Sequence, residues 1–163
     1  MKEIIGADER CTNISLASFG ICTDRPLMTL RDIKKEIITA FKEIYYYIFM
    51  KEDKTIGAPS LLATGGRFHP EIGKRIVNVK TLKTFINYIT SNNIYGHYLI
   101  SYTNHVIALH YLKNGDIYIV DTELKFVSSR RIESFYIIED KFLDKVFLDF
   151  ILNNSDDYRV QKI

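Results

Sequence analysis

Apolar residues fall along this chain in two periods, and the change between them marks out its elements. Leu30, Ile33, Ile37, Phe41, Ile44 and Ile48 follow at spacings of three, four, four, three and four, which predicts one amphipathic helix. Thr29 reads as its N-cap, with Asp32 three positions on in a capping-box arrangement. Tyr45-Tyr46-Tyr47 would then run around the helix circumference, partly buried. Upstream, Cys11–Phe19 reads as a short helix with Ile14, Leu16, Ala17 and Phe19 inward and Gly20 as its stop. Thr81 caps a further helix carrying Leu82, Phe85, Ile86 and Ile89, closed by Asn92-Asn93, and a last helix presents Phe142, Leu143, Val146 and Phe150. Four strands are expected: His97–Tyr102, His105–Leu112, Ile117–Thr122 and Phe135–Ile138. Lys51–Lys74 holds four glycines and two of the three prolines, so it is mostly loop. The expectation is a single α+β domain over residues 1–163, with N-terminal helices packed on a C-terminal antiparallel sheet.

Composition narrows the function classes. A net charge of +2 offers no basic excess for a phosphate backbone, so nucleic acid is not an expected partner. No long uncharged apolar run or basic amphipathic helix is present, so no membrane association is expected either. The first ten residues are too short in apolar length and too acidic for a signal peptide, which points to the cytoplasm. There the two cysteines are expected to be free thiols. Gly65-Gly66-Arg67 lacks the following Lys-Ser/Thr of a phosphate loop. Cys11, His97, His105 and His110 have no spacing of a known zinc motif, so neither metal nor cofactor is expected. His110 lies on the opposite face of its strand from His105 and reads as structural, and Cys22 as packing or a loop thiol.

The remaining polar positions do suggest chemistry. Cys11 opens a predicted helix, His105 opens a predicted strand, and Asp121 lies on the next one. A thiol of ordinary pKa near ~8.5 holds little thiolate at neutral pH. A helix N-terminus and a neighbouring imidazole both stabilise the thiolate, and a carboxylate beside the ring fixes which nitrogen faces the sulfur. Whether His105 and Asp121 can meet depends on the turn at Asn114-Gly115. A two-residue turn would set Asp121 opposite Ala108, on the wrong face for His105. A three-residue loop, Lys113-Asn114-Gly115 with the glycine in a bulge, pairs Leu112 with Asp116 and sets Asp121 opposite Ile107, on the face of His105. The bulged turn is the expected one.

In this order and spacing the chain resembles the small papain-like cysteine peptidases common in phage genomes, over about residues 8 to 122. The resemblance is carried by Cys11–Ser18, Gly73–Val79, Gly96–Ile100, His105–Ala108 and Ile119–Thr122, and extends more distantly to Josephin and C39-type peptidases. It implies a papain-like fold with Cys11 as nucleophile, His105 as general base and acid, and Asp121 as the group that orients the imidazole. The reaction implied is cleavage of a peptide or isopeptide bond in a protein or peptide substrate, in the host cytoplasm if the source is viral. Such folds place a Gln or Asn before the cysteine to serve the oxyanion, and Ile4–Arg10 contains neither. The alternative is therefore an inactive papain-like scaffold that binds a host or partner protein. Cys11 is expected to point at His105 across a cleft between the helices and the sheet. Lys51–Lys74 is expected to wall that cleft, with Gly65-Gly66-Arg67 as its gate.

Overall fold

The computed structural model describes residues 14–21, 30–49, 61–73, 79–102, 105–121, 131–152 and 159–163. Cys11, Cys22, Thr29, Thr122 and the 51–60 and 74 portions of the expected loop lie outside the described residues. The described chain is α+β. Helices α1 (Leu30–Ala40), α2 (Leu82–Ser91) and α3 (Leu143–Leu152) flank seven strands: β1 (Glu43–Phe49), β2 (Leu61–Ala63), β3 (Gly96–Tyr102), β4 (His105–Tyr111), β5 (Ile117–Asp121), β6 (Ser134–Glu139) and β7 (Arg159–Lys162). They form one sheet in the order β2-β1-β6-β3-β4-β5-β7, and every neighbouring pair is antiparallel.

Both faces of the sheet are covered, so the arrangement differs from N-terminal helices resting on a C-terminal sheet. On one face Tyr98, Ile100, Ile107, Leu109, Ile119, Phe135 and Ile137 pack against Leu82, Phe85 and Ile89 of α2. On the other, Leu99, Ala108, Val120, Tyr136 and Ile138 meet Leu16 and Phe19, Ile33 and Ile37 of α1, and Leu143 and Phe147 of α3. A strand buried on both faces reads as an unbroken apolar run. That accounts for Gly96–Tyr102 and His105–Tyr111, in which all residues but Gly96 are buried. β1 and β2 come from the first half of the chain, with β1 paired to β6 over six residues.

The expected single helix through Ile48 is corrected: α1 ends at Ala40, and Glu43–Phe49 is a strand. Tyr45 and Tyr47 turn to the α2 face, while Tyr46 stacks on Tyr136 on the other, with ring centroids 4.3 Å apart. Ile44 and Ile48 fitted a helical stripe only because a four-residue step also preserves strand parity. The aromatic and β-branched run EIYYYIF suits a pleated, half-buried surface better than a helix. α2 follows its expected signals: the Thr81 hydroxyl accepts from the Thr84 N–H, the Thr84 hydroxyl accepts from the Thr81 N–H, and Asn92 closes the helix. Residues 14–17 are helical, with 18–20 in a turn and Gly20 at φ +80. In that segment Ser15 and Ser18 are buried with Leu16 and Phe19, whereas Ile14 and Ala17 are only half-buried.

Candidate functional site

The β4–β5 hairpin settles which side chains share a face. Ala108 pairs with Val120 and His110 with Tyr118, so Ile107 stands across from Asp121. The loop is Lys113-Asn114-Gly115: the Leu112 N–H donates to the Asp116 carbonyl at 2.9 Å, and the Gly115 N–H to the Leu112 carbonyl at 2.9 Å. Gly115 takes φ +96, a backbone that L side chains disfavour, and the Asp116 N–H donates to Asn114 Oδ1 at 2.8 Å. His105 and Asp121 consequently lie on the same face.

They meet. His105 Nε2 is 2.7 Å from Asp121 Oδ1, and both residues are buried. An ionised carboxylate only accepts, so the imidazole hydrogen sits on Nε2. In the neutral ring this makes Nδ1 the basic nitrogen. Tyr102, opposite His105 across β3–β4, lies nearly parallel to the imidazole at an interplanar angle of 11°. The carboxylate, the aromatic neighbour and the strand together hold one tautomer and one ring plane. This arrangement can take a proton at Nδ1 and carry the resulting cation beside Asp121.

The setting around this pair differs from a cleft between helices and sheet. His105 and Asp121 are in phase with Ile107, Leu109 and Ile119, hence on the α2 face. Segment 14–21 rests on the other face, through Leu16 and Phe19. It nonetheless comes close along the strand, since the Ser15 hydroxyl donates to the Val106 carbonyl at 3.3 Å. The expected gate is also elsewhere. β2 lies at one edge of the sheet, four strands from β4, and Ala63 leads away from the end at which His105 starts. Arg67 leans instead on Tyr45 and Glu43, 5.2 Å from the Tyr45 ring centroid and 3.7 Å from the Glu43 carboxylate. Gly65-Gly66-Arg67 therefore does not gate His105.

A second polar constellation was not foreseen. On the face opposite His105, Ser18 Oγ lies 2.8 Å from His110 Nε2, His110 Nδ1 lies 2.7 Å from His97 Nδ1, and His97 Nε2 lies 2.8 Å from Asp144 Oδ1. Ser18 and His110 are fully buried, and His97 nearly so. Burial pulls both imidazoles below the ordinary histidine range, His110 well below; for His97, Asp144 opposes the shift. His97 and Asp144 reach a cavity of about 370 Å³ at the Gly96 end of the sheet, away from His105. Near it, His69 Nε2 bonds Glu139, and the Glu71 N–H donates to His69 Nδ1 at 3.1 Å. The sequence signalled only that His97, His110 and Ser18 are polar positions inside otherwise apolar runs, not that they join one another or Asp144. Among the described residues, no three His, Cys, Asp or Glu side chains are grouped to hold a metal, and no helix is long and apolar enough to cross a membrane. Comparison with protein-family models, curated proteins and solved structures finds no match for this chain.

Proposed function

We propose that the chain is a thiol hydrolase of papain-like organisation, cleaving a peptide or isopeptide bond through an acyl-enzyme on Cys11. The observation that supports this reading is the buried His105–Asp121 pair, made possible by a three-residue hairpin loop. In the proposed reaction the Cys11 thiol gives its proton to His105 Nδ1, and the thiolate attacks the carbonyl carbon. Collapse of the tetrahedral adduct breaks the C–N bond, with His105 returning the proton to the leaving amine. Water, deprotonated by the same imidazole, then hydrolyses the thioester. The contact between Ser15 and Val106 brings the N-terminal segment within one residue of His105 along β4. Cys11 lies four residues before Ser15 in the sequence.

The second reading, an inactive papain-like scaffold that binds a partner protein, has its own support. Segment 14–21 and His105 lie on opposite faces of the sheet, and Ile4–Arg10 supplies no Gln or Asn for an oxyanion. Losing an oxyanion donor typically costs about 10²–10³ in rate. Iodoacetamide labelling in a Cys22→Ser background separates the two readings. A hydrolase alkylates Cys11 readily at about pH 6, well below an ordinary thiol titration, and His105→Ala slows it sharply. Alkylation that follows an ordinary thiol in both proteins overturns the hydrolase reading.

A further inference from the structure

We propose that the chain Ser18–His110–His97–Asp144 is a pH-sensitive latch: with both imidazoles neutral it holds segment 14–21 on the sheet, and a proton entering the pair from the cavity releases that segment. The latch rests on described residues alone and stands whether or not Cys11 is a nucleophile.

Counting protons fixes the neutral state. Asp144 accepts only, so His97 donates from Nε2 and, being neutral, accepts at Nδ1. His110 must then donate from Nδ1 and accept at Nε2, where the Ser18 hydroxyl is the donor. Every hydrogen points toward Asp144, and the serine that ends the chain belongs to the N-terminal segment. Ser18 Oγ is also 2.6 Å from the Ser15 carbonyl, so one hydroxyl hydrogen serves two acceptors.

A further proton cannot be absorbed without cost. It makes an imidazolium of a ring that is sealed by the same segment: Phe19 lies 4.9 Å from the His110 ring and 6.4 Å from that of His97. Phe147 of α3 closes the other side, stacked on His110 at 3.9 Å. The charged groups facing His97 are Asp144 on α3, with Asp140, Glu139 and Glu71 around the cavity and Lys113 and Lys141 opposing them. Asp144 and Asp140 favour the cation, but Asp144 is one-third exposed and its Lys113 N–H contact already uses Oδ2, so burial outweighs them. Among the described residues His110 faces no carboxylate: its partners there are Ser18, His97 and the two phenylalanines. His97 borders the cavity, but His110 is fully buried and does not, so hydrating charge on His110 requires lifting Ser18 and Phe19 from it. Protonation of the pair also reverses the hydrogen between His110 and Ser18, whose hydroxyl then donates to the Ser15 carbonyl alone, so what lifts the segment is the buried charge and not a lost hydrogen bond.

Linkage gives the sign. Ring pKa values that are lower with the segment docked than with it lifted mean that docking is strongest above about pH 6.5 and weakens as the pH falls through the docked values.

The test is amide hydrogen exchange on the intact chain at about pH 7.5 and about pH 5.5, corrected for intrinsic exchange. The amides of Ser18, Phe19, Gly20 and Ile21 are expected to lose protection by at least about tenfold on acidification, while those of α2, on the far face, hold theirs. In His97→Gln the loss at 18–21 is expected to disappear. Unchanged protection at 18–21 in the native chain overturns the latch, as does a loss in step with α2, which is general acid unfolding. If His97→Gln does not fold, the comparison of the two sets of amides in the native chain still decides.

Discussion

Asp121 accepts the Nε2–H of a buried imidazole, and removing the acceptor leaves that donor without water to turn to. Asp121→Ala is therefore expected to lower the unfolding free energy by about 1–3 kcal/mol. Asp121→Asn, whose carboxamide oxygen still accepts, should retain most of the stability; paired urea titrations measure both. Phe147 gives the contrasting case of a purely apolar contribution. It is fully buried and touches His110, Tyr118 and Phe150. Phe147→Ala should cost about 3–5 kcal/mol by the same titration, because α3 is held on the sheet and cannot collapse into the void.

Among the elements, the β4–β5 hairpin was legible because one turn signal, Asn114-Gly115, sits between two apolar strands and fixes their register. Its glycine is there for its backbone alone: at φ +96, a Cβ on Gly115 would meet nothing within 4 Å. Gly115→Ala is thus expected to cost about 1 kcal/mol through conformational strain, without a packing penalty. A loss above about 3 kcal/mol in urea would show that the register itself had moved. α2 was equally legible from its Thr81 cap and Asn92 stop. The Leu30–Ile48 stripe misled because steps of three and four fit a helix, while the Tyr45/Tyr47 alternation fits a strand. Pairing with β6, some ninety residues away, decides between them, and local pattern carries no trace of that partner. Sheet order was unreadable for the same reason.

At the scale of the whole molecule, two covered faces explain why one site was foreseen and the other was not. In a strand buried on both sides, inward and outward positions look alike, so His97 and His110 gave no sign of joining Ser18 and Asp144. His105 stood out because it opens its strand. Burial also makes the fold pH-sensitive. The folded-state values of His97 and His110 lie below the ordinary one, so their contribution is complete above about pH 6.5 and is lost as the pH falls through those lower values. Urea midpoints should accordingly fall between about pH 7.5 and about pH 5, and the fall should shrink in His97→Gln.

The central claim, that Cys11 and His105 form one site, is tested most directly by titrating His105. Nuclear magnetic resonance of the labelled imidazole reads its pKa in the native chain and in Cys11→Ser. A thiolate beside the ring stabilises the imidazolium, so the account predicts a His105 pKa lower in Cys11→Ser by at least about one unit. Superimposable titrations in the two proteins would contradict it.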